Sequence, residues 1–227
     1  MNEIKENLAR VKARIFAAAE RSARSPNQIK LLAVSKTVAP ERIQEAFTAG
    51  QRHFAENRVQ ELCAKTPVLP KDIRWHLIGH LQQNKVRAAL QTNALIHSID
   101  SLRLLQRVKR IAGELEMNAE VLLEVNISGE TSKFGLEPGQ LEPLLEECRS
   151  GPVQCRGLMT IAPYQAEEKE LHRIFGTLRK LRDKLQQSSG IELPELSMGM
   201  SGDFEAAIAE GATMLRIGSA IFGERQK

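Results

Sequence analysis

Lys36 stands at the end of an apolar run, Leu31-Leu32-Ala33-Val34, with Ser35 and Thr37 on either side. The run is continuous rather than alternating, which suits a strand buried on both faces. A lysine at such a strand end has two fates. It reaches solvent, or its amine enters a pocket where burial lowers its pKa and makes it a nucleophile for carbonyls. Two glycine- and serine-containing turns lie far downstream, Met198-Gly199-Met200-Ser201-Gly202-Asp203 and Gly218-Ser219. Ser201 is spaced to cap a helix beginning near Asp203, and glycine lets backbone N–H groups approach an anion closely. Either stretch alone is explained by a plain cap or a plain turn; the two together read as an anion cradle. Arg216 lies inside the apolar stretch Met214-Leu215-Arg216-Ile217. A buried guanidinium needs a partner, either a carboxylate such as Glu56 or Glu124 or an acceptor on a ligand.

An amine, an anion cradle and an inward arginine point jointly to pyridoxal 5′-phosphate (PLP). The lysine would form an internal aldimine, the two turns would hold the phosphate, and the arginine would meet the pyridine nitrogen. An arginine does not readily give up its proton. It would leave that nitrogen unprotonated and make the ring a poor electron sink, which argues against efficient carbanion chemistry.

These groups must be brought together by the rest of the chain. Short strands are expected at 31–34, 53–57, 75–79, 94–98, 121–127, 157–161, 195–198 and 213–217, with a helical stretch after each of the first seven. Pro40 opens the first of these helices and Gly50 closes it; Asp100 or Ser101 caps another. Strand–helix alternation of this kind predicts an α/β fold, a (β/α)8 barrel. A doubly wound open sheet is the alternative, but nothing marks a crossover or an edge strand. Ile4, Leu8, Val11, Ile15 and Ala18 recur at helical spacing and predict an extra N-terminal helix within residues 1–22, laid against one end of the barrel. Residues 1–227 are read as one domain. In a barrel the reactive groups sit at the C-terminal strand ends. Those ends carry Lys36, Asn57, Gly79-His80, Asp100, Asn126, Thr160, Ser201 and Arg216-Ile217-Gly218-Ser219.

The 227 residues are 42% hydrophobic and 26% charged, an ordinary globular balance. A net charge of +4, from 32 basic and 28 acidic residues, is too small a surplus to argue for nucleic acid. The three cysteines, Cys63, Cys148 and Cys155, include no CxxC pair and indicate neither a disulfide framework nor a zinc site. No metal is expected. With no signal core and no apolar run long enough to span a membrane, the expected compartment is the cytoplasm. His76 and His97 lie within strands, are not spaced as metal ligands, and read as satisfied core histidines. The basic helix surface of Arg103, Arg107, Lys109 and Arg110 reads as a solvated face.

Several stretches carry a resemblance to a known family. They are Leu32-Ala33-Val34-Ser35-Lys36-Thr37, Phe54-Ala55-Glu56-Asn57-Arg58-Val59-Gln60-Glu61, and Trp75-His76-Leu77-Ile78-Gly79-His80-Leu81-Gln82-Gln83-Asn84-Lys85. Gly157-Leu158-Met159-Thr160-Ile161-Ala162, Leu196-Ser197-Met198-Gly199-Met200-Ser201 and Arg216-Ile217-Gly218-Ser219-Ala220-Ile221-Phe222-Gly223 complete the set. In this order the chain resembles the pyridoxal phosphate homeostasis proteins, which are similar to the N-terminal barrel of alanine racemase, a fold-type III PLP barrel. The resemblance implies that Lys36 carries the cofactor and that Arg216 faces the ring nitrogen. It implies too that Ser201, Gly218 and Ser219 hold the phosphate and that Asn57 and His80 line the pocket. Family members often have a second lysine two positions after the Schiff-base lysine; here that position is Val38.

The family is understood to bind PLP and hand it on, keeping vitamin B6 and amino-acid pools balanced, and is not established as enzymatic. Related racemases recruit a tyrosine from an additional β domain of a partner subunit. No such domain is expected here, and the one tyrosine, Tyr164, lies in the loop after the sixth strand. The expectation is therefore a monomeric PLP carrier without efficient turnover, with PLP-requiring apo-enzymes as its recipients. A slow PLP-dependent racemase or lyase is the alternative, and a scaffold that has lost its ligand and binds another protein is a third. Lys133 is a candidate second amine in the loop after the fifth strand.

Overall fold

The computed structural model describes residues 3–130 and 134–223. Eight parallel strands close into a barrel in chain order: β1 (Lys30–Val34), β2 (His53–Glu56), β3 (Arg74–Leu77), β4 (Leu95–Ile99), β5 (Ala119–Glu124), β6 (Val153–Met159), β7 (Glu195–Ser197) and β8 (Met214–Ile217). The ring closes where β1 pairs with β8, from Lys30 opposite Met214 to Ala33 opposite Ile217. The helices that follow β1 to β8 are α2 (Pro40–Thr48), α3 (Val59–Lys65), α4 (Val86–Leu90), α5 (Leu102–Glu114), α6 (Leu141–Glu147), α7 (Glu168–Ser189), α8 (Phe204–Ala209) and α9 (Ser219–Phe222). The chain is thus a (β/α)8 barrel with one further helix, α1 (Glu3–Arg21), ahead of it.

The continuous apolar runs follow from burial on both strand faces. Successive side chains alternate. Ala33, Phe54, Trp75, Ile96, Leu196 and Leu215 join the large core under the helices. Leu32, Ala55, Leu122, Met159 and Met214 form a separate cluster inside the bore. The same alternation puts Lys30, His53, His76, His97, Glu124, Ser197 and Arg216 on the inner face.

Three local expectations are corrected. α1 lies along the side of the barrel, not against an end. Ile4, Leu8, Val11, Ile15 and Ala18 are buried, and the helix packs on α2, α8 and α9. Asn7 Nδ2 donates to the Ile221 carbonyl at 3.1 Å near one end, and beyond the other Arg24 Nη1 donates to Ile208 and Ala212 carbonyls at 2.9 and 2.8 Å. α9 has only four residues, so α1 fills the place in the helix ring that α9 leaves short. β6 runs over Val153–Met159 rather than 157–161, because Val153 and Cys155, buried in the core under the helices, already alternate with the more exposed polar Gln154 and Arg156. Finally, Ser201 does not cap α8. Asp203 precedes that helix and accepts the Met200 N–H in the turn before it. Elsewhere the expected caps are present: Pro40 occupies the first turn of α2, and Ser101 Oγ accepts the Leu104 N–H at 3.3 Å.

Candidate functional site

The C-terminal ends of the strands surround a cleft of about 1500 Å3. Lys36, Asn57, His80, Ser201, Arg216, Gly218 and Ser219 all line it. Lys36 is half-buried and sits in a tight turn closed by the Val38 N–H on the Ser35 carbonyl at 3.0 Å. Thr37 follows with φ +63°, uncommon for a β-branched residue. Its N–H is held by Glu61 Oε2 at 2.7 Å.

Behind this turn is a clamp that the sequence reading missed. Lys65 Nζ donates to the Ser35 carbonyl and Glu56 Oε1, both at 2.8 Å, and to Glu61 Oε2 at 3.1 Å. Ser35 Oγ also donates to Glu56 Oε1, at 2.6 Å. One lysine thereby ties down the residues on both sides of Lys36. Burial raises the Glu56 carboxyl above the ordinary range, against the pull of Lys65 and Ser35. Burial acts on Glu61 too, but the Thr37 N–H and Lys65 outweigh it and hold that carboxyl below the usual value. The signal available in sequence was the spacing of Glu61 and Lys65, neighbours on one helix face.

Arg216 is 4% exposed. Neither carboxylate considered for it accepts its hydrogen bonds. Nη1 donates to Ser197 Oγ at 2.7 Å and Nη2 to the Thr160 carbonyl at 2.8 Å. Glu56 is occupied by Lys65, on the other face of its strand. Burial lowers the arginine to about 10, while Asp203 and Glu124 pull it back up. At neutral pH it stays charged.

The turns after β7 and β8 meet, with Ser219 Oγ 3.4 Å from Ser201 Oγ. At Gly218 a Cβ would lie 3.2 Å from the Val34 carbonyl oxygen, so glycine lets this turn lie close against β1. On the opposite wall His80 Nδ1 lies 3.0 Å from Asp100 Oδ2. The His80 ring stacks on Phe134, with centroids 4.1 Å apart. Asn57 and His80 are both exposed at the mouth. Val38 lines the cleft and packs against the core. Tyr164 stands on the rim at 91% exposure. Lys133 lies outside the described residues. Among the described residues no helix is long and apolar enough to cross a membrane.

Glu124 is a cleft residue that sequence reading named only as a partner for Arg216. It ends β5 on the inner face, and burial, with Asp100 nearby, raises its carboxyl to about 7 against the pull of Arg216. The folded protein therefore binds a proton there that the unfolded chain has already released between about pH 4.5 and 7. Stability contributed at this site falls as pH rises through that window. At about 1.4 kcal/mol per pH unit the cost above pH 7 is on the order of 3 kcal/mol. Glu124→Gln is expected to match wild type near pH 5 and to exceed its stability near pH 8 by about 2–3 kcal/mol in urea unfolding. A gain of equal size at both pH values would contradict the assignment.

Comparison with known proteins places this geometry in a family. The family model described as "Alanine racemase, N-terminal domain" matches residues 2–226. The pyridoxal phosphate homeostasis protein of Aquifex aeolicus is 46% identical over 97% of this chain and 98% of its own length. Its namesake in Pseudomonas aeruginosa is 44% identical over 99% and 97%. Among solved structures, PipY of Synechococcus elongatus with PLP bound superposes with a TM-score of 0.85 at 41% identity, covering 97% of this chain and all of that one. At this identity over essentially the full length, the chain belongs to the pyridoxal phosphate homeostasis protein family, within the alanine racemase N-terminal domain family.

Proposed function

We propose that this protein binds PLP in the strand-end cleft with Lys36 as its covalent anchor. We infer that it holds the cofactor for PLP-requiring apo-enzymes and does not efficiently turn over a substrate. The observation that carries the reading is the convergence, in one cleft, of the Lys36 amine, the buried Arg216 guanidinium and two serine turns in mutual contact. The donor set fits the cofactor. Ser201, Gly218 and Ser219 offer hydroxyl and backbone N–H groups to a phosphate, and Arg216 offers only N–H donors to a ring nitrogen. Asn57 and His80 form the wall, with His80 held by Asp100 and Phe134. When bound, the cofactor would supply an aldehyde, and Lys36 would offer the amine that holds it covalently. The names of the relatives and the PLP-bound PipY structure support the same cofactor. Because Arg216 keeps its proton, the ring nitrogen stays an acceptor and the ring a poor sink for electrons. Tyr164 is too solvated at the rim to be an organised acid or base. The barrel, with α1 in its wall, is taken as one monomeric binding unit.

Absorption spectra with and without borohydride test the reading. PLP-incubated wild type is expected to be yellow, with a band that borohydride removes, and Lys36→Ala is expected to lack that band. Colourless wild-type protein after incubation would end the proposal. Sustained, Lys36-dependent formation of a D-isomer from single L-amino acids would replace the carrier by a racemase.

A further inference from the structure

A file of polar side chains crosses the bore from the barrel floor to Arg216. His53 Nδ1 lies 3.0 Å from His76 Nε2, and His76 Nδ1 lies 2.9 Å from His97 Nε2. His97 Nδ1 lies 2.9 Å from Ser197 Oγ, the atom to which Arg216 Nη1 donates. β4 and β7 are not neighbours in the sheet, so the His97–Ser197 contact spans the interior. His76, His97 and Ser197 are buried, and cofactor binding as described above uses none of them directly.

Counting protons fixes the direction of every bond. A guanidinium only donates, so Ser197 Oγ accepts from Arg216. Among the described residues, the one acceptor within reach of the Ser197 hydroxyl hydrogen is His97 Nδ1. Burial keeps His76 and His97 far below the ordinary histidine range, so each neutral ring has a single N–H. His97 must then carry its hydrogen on Nε2 and donate to His76 Nδ1. His76 must carry its own on Nε2 and donate to His53 Nδ1. All the bonds run from Arg216 down to the floor.

We propose that His53, His76, His97 and Ser197 form a positioning relay that holds Arg216 in one orientation, leaving its remaining N–H bonds for the cleft. This rests on the reading of Arg216 as the partner of the PLP ring. Aligned bonds polarise one another, so the acceptor that Ser197 offers is stronger than an isolated hydroxyl. Reversal needs the His53 hydrogen on Nδ1, and it would make Ser197 Oγ accept from both His97 and Arg216, leaving the hydroxyl hydrogen without an acceptor. A second proton on His53 would force that arrangement, and the charges facing His53 work against it. Burial, Arg74 and Lys30 all disfavour its protonation, with Glu195 alone opposing them. Glu195 is itself engaged by Lys30 and by Thr213 Oγ1, the latter at 2.7 Å. The floor of the barrel thus guards the bond direction that its mouth uses.

Histidine tautomers in the ligand-free protein test this without the cofactor. Nitrogen-labelled NMR at about pH 7.5 is expected to show His76 and His97 neutral with the hydrogen on Nε2. A hydrogen on Nδ1 of either ring, or a doubly protonated ring, overturns the relay. The second arm uses PLP. His97→Leu breaks the file and is expected to weaken PLP binding about tenfold and to move the absorption band, with Lys36 still modified. His97→Gln, which retains an acceptor and a donor, is expected to restore both to near wild type. A folded His97→Leu with unchanged affinity and spectrum overturns the proposal; if that variant does not fold, the tautomers and the glutamine variant decide. Wild type that takes up no PLP would strike the function proposed above, and the tautomers alone would then judge the relay.

Discussion

Replacing Lys65 by methionine is expected to destabilise the protein by about 3–5 kcal/mol near pH 8, the range for removing one partner of a buried ion pair. The Lys65 side chain is 9% exposed and that of Glu56 is 0% exposed. Glu56 Oε2 already has no hydrogen-bond partner among the described residues, so the remaining oxygen depends on Lys65 and Ser35. Methionine fills much of the volume but leaves a buried carboxylate uncompensated and the Ser35 carbonyl without its donor. The carboxyl of Glu56 lies above its unfolded value even with the lysine present, and without it must rise further. Protonation then relieves the penalty as pH falls, so the loss should shrink toward pH 5. Urea midpoints of wild type and variant at the two pH values measure it. A loss under about 1 kcal/mol near pH 8 would mean that the pair contributes no more than a surface one. Because the clamp brackets Lys36, the variant should also form the Lys36–PLP linkage more slowly.

Gly79→Ala is expected to cost at least about 3 kcal/mol and to distort the cleft mouth, at the upper end of overpacking effects. An added Cβ would lie 2.0 Å from the Asn57 carbonyl oxygen and 2.9 Å from its Cα. Both are backbone, and neither strand end can give way easily. Ile78 N–H is bound to the Glu56 carbonyl at 2.9 Å, and the Gly79 carbonyl accepts Ser98 Oγ at 2.7 Å. Relief requires parting the ends of β2 and β3, which carry Asn57 and His80 into the cleft. Gly113→Ala is the contrast. That glycine is inside α5 with nothing within 4 Å of the new Cβ, so alanine should stabilise by about 0.5–1 kcal/mol. Thermal unfolding of the two variants separates steric conflict from the general effect of losing a glycine; similar midpoints would refute the clash.

Much of this architecture was legible from residue order. The eight strands and the placement of Lys36, Asn57, His80, Ser201, Arg216, Gly218 and Ser219 at or beyond strand ends follow from local patterns. A barrel strand is apolar on both faces, and parallel connections return every strand end to the same rim. The errors were equally local in origin. Serine before a short helix commonly caps it, yet here Asp203, two residues on, accepts the N–H of the turn. Polar Gln154 and Arg156 mask the alternating start of β6, so that only its apolar end is legible as a strand.

The sequence by itself determined the kind of element along most of the chain and which residues stand at strand ends, since both are set by neighbours a few residues apart; strands apolar on both faces did not reveal which face turns inward. Only the tertiary structure decided which buried polar groups meet. Arg216 finds the carbonyl of Thr160, His97 reaches Ser197, and Lys65 joins Ser35 to Glu56. These partners are separated by up to 100 residues, and β4 and β7, which carry His97 and Ser197, are not adjacent in the sheet. Closing the ring brings Arg216, Thr160, His97 and Ser197 together across a buried bore, and packing α3 on the strands brings Lys65 to Ser35 and Glu56 outside it. In both places each polar group must satisfy its hydrogen bonds with whatever faces it.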